Sequence, residues 1–323
     1  TARYANYILL EDRRTLLTSG YNGFRKLARP EKANGAATEF GTADTSMVQG
    51  EIQSISVSET NGIIVDDFGN VYVAGDHTYG QAGNSATNAT YLPKFQLMDT
   101  SAIKATGTQA VKVYAGDYNV FVLDGLGNLW ATGYNGLGQL GLGNTTNVNK
   151  LTKVQGVSNV IDVMPTKDPA EASSRSTFIL QADGLVFATG NNGNGIFGRG
   201  NATASNSFIK YPIENVKQIM RSNYNIMVLT HDGELYASGE NSWGMFGNGS
   251  GTSNFNTPQN ISKKLRESTV GGKTRSWNVE KILSFNTASW IQLDDGTVWS
   301  AGTNNGSWGD LGYRFTTRTT VCG

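Results

Sequence analysis

One short pattern recurs six times along this chain, and it constrains the fold more than any other feature of the sequence. The pattern is an aliphatic residue, an aromatic residue, two mostly small residues and a glycine, and its clearest copy is Leu129-Trp130-Ala131-Thr132-Gly133. Six glycines end the copies, 49 to 63 residues apart: Gly20, Gly75, Gly133, Gly190, Gly239 and Gly302. A repeat of this length predicts similar units that must stack to bury their apolar faces.

Each copy forms the second half of a predicted β-hairpin. A short apolar run precedes it, and the two are separated by a turn dipeptide such as Asp183-Gly184 or Gly127-Asn128. Glycine is favoured in such turns because it adopts positive φ without steric cost. Most units also begin with a further apolar strand, such as Val216–Ile219. The sequence therefore predicts sheets of three or four antiparallel strands and no amphipathic helix longer than two or three turns.

Radial stacking of such sheets predicts an all-β fold, a β-propeller with six recognisable blades. We expect a single domain over residues 1–323. Its approximate repeat units are 1–48, 49–107, 108–156, 157–213, 214–277 and 278–323. The first unit lacks an opening strand, and the β-branched segment Phe315–Val321 is a candidate to pair with that unit and close the ring. Two alternatives stay open, namely that this segment is a frayed tail or that a seventh unit is missing from the sequence.

A second motif follows the strand glycine, and its clearest copy is Asn135-Gly136-Leu137-Gly138-Gln139-Leu140-Gly141. Together, the hairpin turns, the strand pattern and this loop resemble the repeat of the regulator of chromosome condensation family. The resemblance implies a propeller, generally of seven blades. The chain departs from the family because six units are present and the family's usual histidine is replaced in Asp117-Tyr118-Asn119 and Asn223-Tyr224-Asn225. In the first unit, Arg25 and Ala28 also replace both loop glycines.

Composition and residue types argue against several functions. The chain has 26 basic and 26 acidic residues, so we expect no nucleic-acid partner, which would need a surplus of Lys and Arg. Cys322 is the single cysteine, and no apolar run is long enough to predict membrane insertion. The two histidines, His77 and His231, are interpreted as surface turn residues in distant units. We therefore expect a protein that is not an enzyme and that has no metal and no cofactor.

Candidate binding residues come from equivalent loop positions, which share one face of a propeller. The residue before the first loop glycine is aromatic in four units, and two strand glycines are followed by tyrosine. These aromatic candidates are Phe24, Tyr79, Trp243, Trp308, Tyr21 and Tyr134. Cations of the longest unit are the second set: Lys263, Lys264, Arg266, Lys273 and Arg275. We expect Phe24, Trp243 and Trp308 to converge with these cations on the arc of units 5, 6 and 1. Alternatively, the aromatic side chains pack between blades and the cations are solvated.

The favoured function is a non-catalytic recognition module that binds a protein or glycan through one face. Charged residues make up only 16% of the chain, and this low charge with abundant Gly, Asn, Thr and Ser resembles virion fibres and secreted β proteins. We therefore expect a virion-associated or extracellular setting, such as a phage tail. The alternatives are guanine nucleotide exchange or another regulatory interaction with a small GTPase, which the family resemblance implies, and inhibition of an enzyme.

Overall fold

The computed structural model of the chain describes residues 5–29, 35–84, 90–167, 175–222, 224–242, 244–249, 253–263, 269–270, 273–274, 277–285 and 288–302. In these ranges the protein consists of six antiparallel sheets of three or four strands, one short hairpin and the four-residue helix α1 (Ser101–Lys104). The all-β prediction is thereby confirmed. Each predicted repeat unit contains one sheet, and we number the sheets 1 to 6 in chain order.

The strands follow one another as simple meanders. Sheet 1 contains β1 (Ala5–Leu9), β2 (Leu16–Tyr21) and β3 (Ala36–Thr42). Sheet 2 contains β4 (Ile52–Val57), β5 (Asn61–Asp66), β6 (Val71–Asp76) and β7 (Tyr91–Leu97). Sheet 3 contains β8 (Ala110–Ala115), β9 (Asn119–Asp124), β10 (Leu129–Gly133) and β11 (Val148–Lys153).

The later sheets repeat this order. Sheet 4 contains β12 (Val160–Pro165), β13 (Ser176–Gln181), β14 (Val186–Gly190) and β15 (Ser205–Lys210). Sheet 5 contains β16 (Val216–Arg221), β17 (Asn225–Thr230), β18 (Leu235–Gly239) and β19 (Phe255–Asn260). The hairpin of β20 (Thr269–Val270) and β21 (Lys273–Thr274) precedes sheet 6, which contains β22 (Val279–Phe285), β23 (Ala288–Leu293) and β24 (Val298–Gly302).

Burial differs systematically between the strands of a sheet. Every residue of β5, β9, β13 and β17 is buried, as expected for apolar runs covered on both faces. The last strands are much more exposed, and in β11 the only buried residue is Leu151. The aromatic residues at the repeat position are not uniformly buried. Trp130 and Trp299 are buried, whereas Phe187 and Tyr236 are half-buried.

The chain divides into two compact bodies. The first comprises residues 1–181, 189–191 and 205–208, and the second comprises the remainder. In the first body, β4 packs against β8, and β8 packs against β12. Within the second body, β16 packs against β22 in the same way. Neighbouring sheets of each body therefore meet through their first strands. The organisation of residues 1–323 as a single domain stays a prediction.

Among the described residues, sheet 1 has no strand equivalent to the one that opens the other sheets, as the sequence predicts. Its order is β1-β2-β3, and β1 leads through the turn after Leu9 into the repeat strand β2. The sequence candidate for the missing strand, Phe315–Val321, lies outside the described residues. How the ring closes therefore stays a prediction.

The strand-ending glycine is required by backbone conformation and by a close approach. Gly133 has φ of 104°, and an added Cβ would lie 2.4 Å from the Tyr118 carbonyl oxygen. The next residue, Tyr134, donates its backbone N–H to this carbonyl over 2.9 Å. Gly75 is equivalent, with an added Cβ 2.2 Å from the carbonyl oxygen of Thr60. The absence of a side chain at the glycine thus allows the end of the third strand to pack closely against the loop between the first two strands.

Candidate partner-binding face

Two loops of each four-stranded sheet emerge at the same end, because antiparallel strands alternate in direction. We call the connection between the first two strands the first loop and the connection between the last two the third loop. In the first body, the described residues of the first loops of sheets 2, 3 and 4 are 58–60, 116–118, and 166–167 with 175. The described residues of the third loops of sheets 2 and 3 are 77–84 with 90, and 134–147. We call this end of the first body the loop face.

The asparagine of the repeated loop holds the third loop in shape. Asn135 accepts the backbone N–H of Leu140 at Oδ1 over 2.9 Å, and its Nδ2 donates to the carbonyl oxygens of Asn144 and Thr146. Asn192 accepts equivalently from Phe197 over 2.8 Å. A side-chain amide suits this position because it donates and accepts simultaneously. The repeat therefore specifies a rigid loop on which other side chains are displayed.

His77 is buried, and the interpretation of this histidine as a surface residue is wrong. It stands at the loop asparagine position in sheet 2 and is 3% exposed. Its Nδ1 accepts the backbone N–H of Ala82 over 3.1 Å, which is the bond that Asn135 Oδ1 makes in sheet 3. An imidazole nitrogen that accepts carries no proton, so His77 holds its proton on Nε2. His231 is exposed at a hairpin turn, as predicted.

Three tyrosines and an arginine meet on the loop face. The Tyr79 ring lies 5.2 Å from the Tyr118 ring and 4.9 Å from the Tyr134 ring between centroids, inclined by 68° and 61°. The Arg175 guanidinium lies 5.5 Å from the Tyr118 ring centroid and 4.9 Å from that of Tyr134. We call these four residues the tyrosine cluster. All three tyrosines are half-buried, so part of each side chain remains accessible.

A buried ion pair fixes the arginine of the cluster. Arg175 Nε donates to Asp117 Oδ2, and the Asp117 carboxylate is fully buried while the Arg175 side chain is 12% exposed. Burial, reinforced by the negative charges of Asp117 and Asp76, raises the pKa of Tyr118 to about 12. The Tyr118 hydroxyl therefore stays protonated at neutral pH and is available as a hydrogen-bond donor.

The first loops of sheets 2, 3 and 4 are bonded to one another beneath the cluster. The Tyr118 backbone N–H donates to Thr60 Oγ1 over 3.4 Å. The Asp117 backbone N–H donates to the Thr166 carbonyl oxygen over 2.5 Å. The Glu59 backbone N–H donates to the Lys167 carbonyl oxygen over 3.2 Å. These bonds connect three sheets into one supporting layer. The tyrosine cluster is consequently displayed on a scaffold whose backbone is already ordered.

A second buried pair lies between sheets 1 and 2. Lys26 Nζ is fully buried, donates to the Glu59 carbonyl oxygen over 2.6 Å and lies 3.4 Å from Glu59 Oε2. Burial lowers the pKa of Lys26, and the negative charge of Glu59 partly opposes this change. The same Nζ lies 5.7 Å from the ring centroid of Tyr21, which is 48% exposed. The sequence candidate Tyr21 is therefore supported by a buried cation.

The aromatic residues predicted from the sequence only partly form one group. Tyr79 and Tyr134 belong to the tyrosine cluster, whereas Phe24 packs against Tyr91 with 6.2 Å between ring centroids. Tyr21 lies over Gly23, where an added Cβ would come within 2.4 Å of its ring. Trp243 and Trp308 lie outside the described residues.

The basic set is described at two positions. Lys263 is exposed, and Lys273 is described through its backbone in β21. Lys264, Arg266 and Arg275 lie outside the described residues. The expected convergence of these cations with aromatic residues on units 5, 6 and 1 stays a prediction.

Two members of the cluster were missed as binding candidates. Tyr118 lies in the segment Asp117-Tyr118-Asn119, which replaces the family's usual histidine, so this departure from the repeat was a usable signal. It also has φ of 54°, a left-handed conformation that is unfavourable for a bulky side chain. Arg175 precedes β13 at the end of a loop that no other unit shares, and nothing in the repeat pattern marks it.

Two kinds of function can be checked in the described ranges. No helix among these residues is long and apolar enough to span a membrane. Three or more His, Cys, Asp or Glu side chains also never cluster as metal ligands do in the part of the chain that the structure describes. The loop face offers aromatic stacking and hydrogen bonding from phenol groups.

Comparison with known proteins supports the family resemblance. A sequence model described as a β-propeller repeat matches residues 38–76. The chain is also similar to the human X-linked retinitis pigmentosa GTPase regulator, with 28% identity over 150 residues. The match covers 46% of this chain and 14% of that protein.

Solved structures show the fold. Human WBSCR16 superposes with a TM-score of 0.80 and 19% identity, over 99% of this chain and 79% of that chain. Yeast RCC1 (Prp20), crystallised with Kap60, superposes with a TM-score of 0.70 and 18% identity, over 88% of this chain and 64% of that chain. At these identities the structural matches establish a β-propeller fold. The chain is therefore a β-propeller whose repeats and sequence match are similar to those of the regulator of chromosome condensation family.

Proposed function

We propose that this chain is a non-catalytic module that binds a protein partner through the loop face, with the tyrosine cluster as its central contact. Similar propellers support this assignment: yeast RCC1 was crystallised with Kap60, and the structure of Prp20p from Saccharomyces cerevisiae was described together with its binding to Gsp1p and histones. The low charge of the chain favours a surface-recognition setting, virion-associated as in a phage tail or extracellular.

Tyr118 carries the proposal. Its left-handed backbone places a large aromatic side chain where Gly, Asn or Asp would be favoured, and strain of this kind concentrates at functional sites. The ring is only half-buried, so packing accounts for part of its surface. Tyrosine and arginine are also the residues that most often dominate the energy of protein interfaces. A strained, partly exposed tyrosine beside an anchored arginine fits a contact residue.

The test uses Tyr118→Asn in the full chain, because asparagine tolerates the left-handed conformation while removing the ring. We expect the variant to fold with unchanged circular dichroism and to lose retention of the partner at least tenfold, measured by quantitative affinity capture. Leu126→Ala is the matched control, since Leu126 is 61% exposed in the β9–β10 turn, at the opposite end of the same sheet. Equal partner retention by Tyr118→Asn and Leu126→Ala would place the contact elsewhere.

A second candidate function is regulation of a small GTPase, and the similarity to the human GTPase regulator favours it. The test is release of a fluorescent guanine nucleotide from a panel of purified small GTPases, with and without the full chain. Regulation by nucleotide exchange requires release to accelerate at least tenfold for one GTPase. Unchanged release across the panel, with a partner still captured, would leave the general binding module as the function.

A further inference from the structure

We infer that the tyrosine cluster recognises an uncharged, proline-rich segment of its protein partner, a conclusion that rests on the proposed function. The cluster combines three features that together select this ligand. They are inclined aromatic rings, phenol groups without acceptors and ionised side chains that already have partners within the chain.

The rings form a corrugated aromatic surface. Tyr79 is inclined by 68° to Tyr118 and by 61° to Tyr134, with centroids about one ring width apart. Such T-shaped contacts leave grooves between ring edges and faces, and pyrrolidine rings dock in aromatic grooves of this kind. Arg175 packs on Tyr118 and Tyr134, which restrains both rings before a partner arrives. Pre-ordered rings lose little conformational freedom on binding, so stacking contributes most of its energy to affinity.

The phenol groups offer donors to a ligand that has only acceptors. In the described part of the chain, the hydroxyls of Tyr79, Tyr118 and Tyr134 have no hydrogen-bond partner. By contrast, the hydroxyl of Tyr72, in the preceding sheet, donates to Asp66 Oδ2 over 3.1 Å. Proline has a carbonyl group and no backbone N–H, so a polyproline II segment presents acceptors along its length. Donors on the cluster and acceptors on the ligand are therefore complementary.

The ionised side chains in contact with the cluster already have partners within the chain. Arg175 is paired with Asp117. The Asp76 carboxylate accepts a hydrogen bond from Gln81 Nε2 over 3.0 Å and another from the backbone N–H of Thr78 over 2.8 Å. A charged partner gains little ion-pairing free energy at such a site. An uncharged segment binds without the free-energy cost of desolvating an ion. We therefore expect binding that is insensitive to ionic strength.

The experiment is calorimetric titration of the full chain with acetylated, amidated decaproline at 50 and 500 mM NaCl. We expect binding whose affinity changes less than twofold between the two salt concentrations. Tyr134→Ala should weaken it at least tenfold, and Tyr134→Phe should weaken it less, because the ring is kept and only the donor is lost. Leu126→Ala should leave the affinity unchanged. A decapeptide with glutamate at every third position should bind more weakly than decaproline.

Three results overturn the inference: no titration signal with decaproline, tighter binding of the glutamate peptide at low salt, or equal affinity of Tyr134→Ala and the unmodified chain. The proposed function is judged separately from partner retention by Tyr118→Asn. If that variant loses the partner while decaproline fails to bind, the cluster is a protein contact with another specificity. If it retains the partner while decaproline binds at Tyr134, the peptide site is separate from the partner contact.

Discussion

Arg25 and Ala28 hold a backbone conformation that glycine holds in the other repeats. Their φ angles are 63° and 51°, and the loop glycines at the same positions of sheet 3, Gly138 and Gly141, have φ of 75° and 70°. The loop is therefore conserved in shape where its glycines are lost, which the sequence does not reveal. Each left-handed non-glycine residue costs about 1–2 kcal/mol. The surrounding contacts of the first body must offset this strain.

We expect Arg25→Gly to stabilise the protein by about 0.5–1 kcal/mol, because the relieved strain exceeds the extra chain entropy of glycine in the unfolded state. The measurement is the midpoint of denaturant unfolding. Gly138→Ala is the opposing control, since its Cβ would lie 2.6 Å from the Cα of Asn206 and must destabilise the loop. A lower midpoint for Arg25→Gly would show that the arginine side chain contributes more than the strain costs.

Thr132 connects two neighbouring sheets through one hydroxyl. Its Oγ1 is buried and lies 3.0 Å from the Gly80 carbonyl oxygen and 2.8 Å from that of Val148. We expect Thr132→Val to lower the free energy of unfolding by about 0.5–1.5 kcal/mol, because a buried hydrogen bond between the two sheets is lost. Thr152→Val is the matched control on the exposed strand β11, where the hydroxyl contacts only the Lys150 carbonyl oxygen. Equal effects of both substitutions would contradict this account.

Ionisation of Tyr118 should destabilise the folded protein at high pH. Its pKa of about 12 in the folded state lies above the usual value near 10, so its contribution to stability is complete below pH 10 and is lost as the pH rises through 12. We expect Tyr118→Phe to reduce the loss of stability between pH 10 and 12, measured by thermal melting. Asp117→Asn should lower the pKa of Tyr118 in absorbance titration at 295 nm. An unchanged titration would mean that the charge of Asp117 does not contribute to this pKa.

Residue-scale prediction from sequence succeeds where the repeat specifies backbone geometry. The glycine of Gly133 recurs because a close carbonyl contact requires it, and the asparagine of Asn135 recurs in most units because its side chain makes the loop bond. His77 was misjudged because its role depends on the bond that it inherits from the asparagine position. The contact between Tyr118 and Arg175 joins residues 57 positions apart, and it depends on the two first loops lying side by side. Such a contact is set by the packing of sheets and has no local sequence signal.

At the level of elements, the apolar runs predicted the strands correctly because both faces of the second strands are covered. The fully buried β9 and the largely exposed β11 belong to the same sheet, and their sequences differ accordingly. The absence of an opening strand in sheet 1 was also visible in the sequence. The burial of a strand also determines how readily local opening exposes its backbone amides to solvent.

We expect amide hydrogen exchange to rank the strands by their place in each sheet. The second strands, such as β9 and β17, should exchange slowest, and the fourth strands, such as β11 and β19, should exchange fastest. Exchange by local opening is easiest where few apolar side chains are buried. The measurement is exchange mass spectrometry of peptides from a single sheet, so that each sheet is its own control. Equal protection across the strands of sheet 3 would mean that the sheet opens only as a whole.

At the scale of the whole molecule, the chain contains two compact bodies, which could unfold together or separately. The boundary crosses the chain within the β13–β14 hairpin, because residue 181 belongs to the first body and residue 182 to the second. A division inside a hairpin differs from a division at a linker, where domains usually separate. We therefore expect the chain to unfold in one transition, with a calorimetric enthalpy equal to the van't Hoff enthalpy.

Two substitutions, one in each body, test whether the chain unfolds in a single transition. Thr132→Val removes a buried hydroxyl contact in the first body. Ser238→Ala removes one in the second body, where Ser238 Oγ donates to the Ile196 carbonyl oxygen and lies 2.9 Å from the Tyr211 hydroxyl. If unfolding is cooperative, each substitution shifts the same single transition, and their effects on the free energy add because the sites share no contact partner. Two transitions, each sensitive to only one of the substitutions, would show instead that the bodies unfold independently.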